Sequence, residues 1–300
     1  MDDLESWGDE AAGGGGHAAW LDHAVGLLGA GERTGDRDLV DDAIWRLERL
    51  VRMAGDHPNV AGYRSHAGAA WLARYRLTGC AEDLDRAIEV HLRAVAVPDP
   101  VPENQAGRLA RYAGALLARY EATGGAEHLA AAVALARSAA DLAGSAYQHK
   151  EELPPVLQDE DWLTWSRDTA ALCLDTFSVT LTKVCGRKAD AATAAQALQA
   201  GRDAVRLTPR GHPSRSQRLA DLAAALRVSY AVTGDLAALT EAIAMLRLAV
   251  ALTPDGHARL PGLLKDLGAA LRDQLEAQEG RRRRPAIRWR RAAAGPRAAV

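Results

Sequence analysis

The chain has 300 residues, 48% of them hydrophobic but only 5% aromatic, with one phenylalanine, Phe177. Its apolar content is mostly Ala and Leu, strong helix formers that let helices approach closely, which excludes a sheet protein rich in Val, Ile, Tyr and Phe. The net charge of −2 hides a body of about −10 and, after Glu279, eight arginines without one acid; three cysteines without CxxC spacing exclude a disulfide framework and read as free thiols.

Residues 1–16 form an acidic, Gly-rich head, expected to be disordered, without the basic-then-apolar layout of a secretory signal. Gly13–Gly16 has no Gly-Lys-Ser/Thr after it, and Gly29-Ala30-Gly31 has neither a preceding strand nor GxGxxG spacing. Both read as linker and turn, not phosphate loops. No stretch reaches the roughly 18 consecutive apolar residues of a membrane span.

From residue 17 to 280 the chain repeats itself. Ala73–Gly79 (Ala-Arg-Tyr-Arg-Leu-Thr-Gly) returns 45 residues later as Ala118–Gly124 (Ala-Arg-Tyr-Glu-Ala-Thr-Gly), and Ser229–Gly234 keeps the Tyr-x-x-Thr-Gly ending. Thr34-Gly35 is a further copy; Cys185-Gly186 and Glu279-Gly280 are degenerate ones. Eight residues after the glycine stand Ala43-Ile44, Ala87-Ile88, Ala132-Val133 and Ala242-Ile243, whereas Ala197 comes eleven after Gly186, which predicts a loop three residues longer. Pro209 and Pro254 each follow their Ala by twelve.

Each copy reads as helix, turn, helix. Leu109, Tyr112, Ala113, Leu116, Leu117 and Tyr120 share one helical face, and Thr123-Gly124 ends it, because Gly adopts the left-handed conformation that closes a helix. The second helix of the second copy is predicted to start at an Asp83 N-cap, to bury Leu84, Ala87, Ile88, Leu92 and Val95, and to stop at Pro98. Such hairpins bury their apolar faces only by stacking, which predicts an all-α solenoid with a period of about 45 residues.

Two segments break the pattern. The interval from Gly124 to Gly186 is too long and holds an irregular insertion near 148–165, in which Trp162 and Trp165 are expected to cap an apolar seam, a binding loop being the other reading. The Arg-rich tail, 281–300, is expected to be disordered without a specific function; electrostatic contact with nucleic acid or anionic lipid and a truncation or frame-shift scar are the alternatives.

Reactive chemistry is sparse. The nine histidines include no HExxH pair, and His57, His212 and His257 occupy similar inter-repeat turns, where a turn or N-cap role is expected and not a metal site. Cys173 and Cys185 are expected to be non-nucleophilic, since no strands are predicted to build a peptidase module around them. No catalytic residue, cofactor or metal is expected.

The pattern Leu-x-x-Leu-Gly-x-Ala-Leu-x-x-x-Tyr-x-x-Thr-Gly-Asp-x-x-x-Leu-x-x-Ala-Ile, carried here by Leu222, Ala225, Leu226, Tyr230, Thr233, Gly234, Asp235, Ala242 and Ile243 among others, resembles the long tetratricopeptide (TPR)-like repeats of actinobacterial proteins over roughly residues 20–280. The resemblance implies a right-handed superhelix acting as a cytoplasmic, non-catalytic scaffold or sensor with a protein or peptide partner in its groove. Such repeats often accompany CHAT peptidase or STAND nucleotide-binding modules, so a regulatory portion of such a system is the alternative. The period exceeds the usual ~34 residues, which implies longer helices and a deeper groove. In that family the polar column His66, Arg111, Asp221 and Asp266 would face the groove, and Arg74 and Arg119 are expected beside it. Their mixed signs imply no phosphate-like or carboxylate ligand, and a nucleic-acid partner is not expected without a helix-turn-helix reader.

Overall fold

A computed structural model describes residues 14–148 and 160–283. The head to residue 13, residues 149–159 of the insertion and the tail from 284 lie outside the described residues, as does the side chain of Trp162. The described residues form eleven helices and no strand: α1 (Gly14–Thr34), α2 (Arg37–Ala54), α3 (Val60–Thr78), α4 (Ala81–Val95), α5 (Pro102–Thr123), α6 (Ala126–Gln148), α7 (Glu160–Lys188), α8 (Ala191–Leu207), α9 (Arg215–Thr233), α10 (Leu236–Ala251) and α11 (Leu260–Arg283). Helices α1 to α10 pack as five consecutive pairs, and each second helix also packs on the first helix of the next pair. The first helices α1, α3, α5, α7 and α9 touch one another in sequence and make the inner layer of an α-solenoid. The second helices form the outer layer, tied by Glu48–Arg86 (3.4 Å) between α2 and α4 and, with the signs exchanged, Arg202–Glu241 (2.6 Å) between α8 and α10.

The Thr-Gly landmark works as one hydrogen-bonded device. Gly35, Gly79, Gly124 and Gly234 have φ between 72° and 76°, the left-handed region. The Thr hydroxyl before each glycine donates to the carbonyl four residues back (Thr78 to Arg74, 2.9 Å; Thr123 to Arg119, 2.9 Å; Thr233 to Ser229, 2.8 Å). The same hydroxyl accepts the N–H of the residue after the glycine (Cys80, 3.2 Å; Gly125, 3.3 Å; Asp235, 3.2 Å). One side chain thus satisfies a terminal carbonyl and steers the chain into the next helix.

The degenerate copies depart from this. Gly186 lies inside α7, and the left-handed residue is Ala189 (φ 48°), whose N–H reaches the Cys185 carbonyl at 2.8 Å. Ala197 then stands eight residues after the landmark, as in every other copy, so the helix is three residues longer and not the loop. Gly280 lies inside α11. An L-residue in this conformation costs about 1–2 kcal/mol, so Ala189→Gly will raise stability by about 1 kcal/mol, measured as an upward shift in urea midpoint.

The small-residue column sets the close packing within each hairpin. Ala43, Ala87, Ala132, Ala197 and Ala242 are all at most 1% exposed, and leucines such as Leu47, Leu84, Leu239 and Leu246 fill the space between layers. Each such leucine contributes roughly 1.5–3 kcal/mol by burial. Gly29 and Gly31 belong to α1 and not to a turn; a Cβ on Gly31 would stand 2.9 Å from the Asp36 carbonyl oxygen, so the absent side chain lets α2 begin against α1.

Other expectations are corrected. Asp83 does not cap α4, which starts at Ala81 behind Cys80; it is buried at 3% exposure and bound by Arg74. Leu92 is 52% exposed, and His91 takes its place in the interior at 0%. Residues 160–165 of the insertion belong to the 29-residue α7, in which Trp165 is 38% exposed. On composition alone Ala126–Tyr147 of α6 is long and apolar enough to cross a membrane, at a mean hydropathy of 1.2; it packs between α5 and α7 with Leu129, Ala132, Ala136 and Ala143 buried. The final helix α11 has no second helix among the described residues and leaves Leu264 (51%) and Leu275 (57%) exposed.

Candidate functional site

The inner layer does not end as an open trough. The Ala258 N–H, just before α11, donates to the Arg33 carbonyl at the end of α1 (3.0 Å), and an added Cβ on Gly35 would lie 3.5 Å from Ala258 Cβ. The last copy therefore touches the first, and the first helices of all six copies surround one hollow of about 830 Å3. That volume falls in the ~300–1,000 Å3 range of ligand pockets.

The walls of the hollow are charged. Glu32 of α1 faces Arg76 of α3 (4.0 Å), whose side chain lines the hollow and stays 53% exposed. Glu121 of α5, which lines the hollow, pairs with Lys183 of α7 (2.6 Å). Arg259, just before α11, donates to Gln217 of α9 (2.6 Å), whose amide donates to both Asp221 oxygens (3.0 and 2.8 Å). Arg111 also lines the hollow, half-buried, and its guanidinium has neither a hydrogen bond nor an ion pair among the described residues; burial lowers its pKa.

The expected site residues separate into three groups. Arg111, Asp221 and Asp266 line the hollow. His66, one column-mate of Arg111, is half-buried and held uncharged, its pKa pushed down to about 3 by burial and then by Arg111 and His91. Arg74 and Arg119 are not among the lining residues and are taken up between repeats. Arg74 binds Asp83 (2.6 and 2.9 Å) and Asp41 (3.0 Å) and lies 4.3 Å over the Trp71 ring, while Arg119 pairs with Asp85, the residue equivalent to Asp41 one copy on. Hydrogen bonding to Asp83 is the main reason the Arg74 pKa is raised. These arginines hold neighbouring repeats in register.

Two lining residues went unanticipated. Asp175 of α7 is half-buried with its Oδ1 shielded and unbonded, and its pKa is raised well above the carboxylate range by burial and then by Asp221. Asp221 is itself pushed up to about 6, burial being the larger cause. His91 of α4 is fully buried with neither ring nitrogen bonded, and its pKa is pushed down to about 3 by burial and then by Arg111. A Cβ on Gly68 would stand 2.8 Å from its ring, so α3 carries no side chain where the imidazole sits. The spacing Ala87, His91, Ala94 (i, i+4, i+7) was the signal for His91; Asp175 is equivalent to Ala110 and Ala220 of other copies, so no polar column marked it.

The remaining candidates resolve into structural roles. His57, His212 and His257 each accept through Nδ1 the backbone N–H two residues on (3.1 Å in all three), an Asx-turn-like closure of the inter-repeat turn. Cys80, Cys173 and Cys185 are free thiols; burial pushes Cys173 up to about 12 and raises Cys185, which leaves little thiolate at neutral pH. Among the described residues no His, Cys, Asp and Glu side chains group as a metal site.

No known family's sequence profile and no curated protein matches the chain. Among solved structures it is similar to BtubC (BKLC) of P. vanneervenii, at 16% identity and a TM-score of 0.46 over 87% of this chain and 96% of that one. It is also similar to the TPR-like repeats assigned to a kinesin light chain of Podosopora anserina (16%, 0.37, 78% and 93%) and to the S. pombe nuclear import adaptor Nro1 (14%, 0.33, 88% and 95%). The fold assignment rests on this chain's own helix pairs, and it is a TPR-like helical-repeat solenoid.

Proposed function

We propose that this protein is a non-catalytic scaffold or sensor that takes an extended segment of a partner protein into the hollow of its solenoid. The observation that supports this most is the hollow itself, to which the first helix of every copy contributes lining residues. A bare α-helix with its side chains is about 10–12 Å across, so a cavity of about 830 Å3 suits a short extended segment or a protruding loop rather than a folded domain. The free thiols, Cys173 and Cys185 buried and Cys80 half-buried, suit a reducing cytoplasm. The repeat pattern extends the proposal to a regulatory role beside a CHAT or STAND module, with the partner segment as its input.

Gly114 gives a direct test. It lines the hollow in the middle of α5, and a Cβ there meets nothing within 4 Å. Gly114→Trp will therefore fill the space without disturbing the helix packing. Photo-crosslinking from hollow-lining positions in native lysate will join a partner to the parent chain, and Gly114→Trp, with an unchanged helical circular dichroism spectrum, will abolish the crosslink. The same crosslinked partner on both chains defeats the proposal.

A further inference from the structure

The charges around the hollow divide into those already satisfied and those left open. Glu32–Arg76 and Glu121–Lys183 are paired within the wall. Arg111 has no such partner among the described residues; an added Cβ on Gly107 would stand 3.4 Å from its Nη1. Beside Arg111 lies the fully buried His91, whose two ring nitrogens are unbonded and shielded. A carboxylate in front of Arg111 accepts from the guanidinium.

The other open locus lies across α7. Asp175 and Asp221 both line the hollow, Asp221 disfavours the charge of Asp175, and the Oδ1 of Asp175 accepts nothing. The two arginines in reach are committed elsewhere: Arg218 donates to the Thr208 hydroxyl (2.6 Å) and Arg259 to Gln217 (2.6 Å). A cation placed between two carboxylates relieves their repulsion. Arg111 does not supply it, because the charges acting on Asp175 are those of Asp221, Arg218 and Arg259.

Resting on the reading that the hollow holds a peptide segment, we infer that the segment carries both an acidic and a basic side chain, the acid seated on Arg111 beside His91 and the base between Asp175 and Asp221. A ligand of one sign leaves one locus unanswered and meets repulsion at the other. A polyanion such as nucleic acid, which would satisfy Arg111, is opposed by Asp175, Asp221 and Asp266.

The test is panning of a displayed library of random octapeptides against the full chain, with the recovered sequences counted. Enriched peptides are expected to carry at least one Asp or Glu together with at least one Lys or Arg. Against Arg111→Met the acidic preference is lost and against Asp175→Asn/Asp221→Asn the basic one is lost, while Arg111→Lys, a milder change, retains the acidic preference. A synthetic peptide from the parent selection is expected to bind at least about tenfold more weakly to each charge-removing variant, at unchanged helicity by circular dichroism. Enrichment without charge bias, or a bias that survives in the variants, overturns the assignment of the two loci while the peptide reading stands. No enrichment above background removes the peptide reading and this inference with it.

Discussion

Arg74→Leu will lower the stability of the chain by about 3–5 kcal/mol, the cost of stripping the partner from a buried charge, seen as a lower urea midpoint with an unchanged slope. Asp83, at 3% exposure, receives two hydrogen bonds from Arg74 and a longer one from the Thr78 hydroxyl at 3.4 Å. Without the guanidinium it must stay charged and unpaired or take up a proton. Arg74 also reaches Asp41 of the preceding repeat and covers Trp71, so its loss loosens a repeat boundary as well. Arg74→Leu/Asp83→Leu is expected to recover most of the loss, because an apolar pair carries no desolvation penalty. The equivalent Arg119 pairs with an Asp85 that is 64% exposed, so Arg119→Leu will cost under about 1 kcal/mol. Equal effects at the two positions would show that burial of Asp83 does not govern the first.

The second large effect is on acid stability. His91 is neutral in the folded chain with a pKa of about 3, against 6.5 for the free side chain, because burial strips its water and, to a smaller extent, Arg111 lies close by. The unfolded chain therefore takes up a proton below pH 6.5 that the folded chain does not. Stability from this residue is complete above pH 6.5 and falls by about 1.4 kcal/mol per pH unit as the pH drops towards the folded value. His66 acts in the same direction. Asp221 acts in the opposite one, since its folded pKa of about 6 lies above 3.8 and protonation first occurs in the folded chain. His91→Leu removes one of the two histidines and also two unbonded polar atoms. Relative to the parent it is expected to gain about 2 kcal/mol between pH 7.5 and pH 5.0, measured by urea denaturation at both. An identical difference at the two values would mean that His91 is not held neutral.

The sequence made the scaffold legible because its landmarks are local. A Thr hydroxyl, a left-handed glycine and an alanine eight residues on all act within one hairpin, so one copy displays the whole rule. The fourth copy failed as a landmark for a physical reason: its helix runs past Gly186 and turns at Ala189 without a threonine, and Asp175 stands one residue before the column, where other copies carry Ala110 and Ala220. Arg111, Asp221 and Asp266 line the hollow while His66 of the same column does not, so the column alone does not say which copies turn it inward. Arg74 and Arg119 were misjudged because their partners, Asp41 and Asp85, lie in the preceding copy, 33 and 34 residues away. The closure between Arg33 and Ala258 has no sequence signature at all, since it depends on the accumulated rotation of every intervening pair.

That closure bears on how anything gets in. The ends of the array meet through a backbone hydrogen bond, Ala258 to Arg33, worth about 0.5–1.5 kcal/mol, while each neighbouring pair is joined along whole helices. The weakest seam in the wall is thus the one where chain-distant copies abut, and parting it strains no single interface, because the displacement is shared among all the stacked pairs. The array behaves as a split ring with a light clasp. A segment bridging Arg111 on one arc and Asp221 on the other would hold the ring shut from within, so occupancy would be reported at the clasp, a site distant in sequence from both.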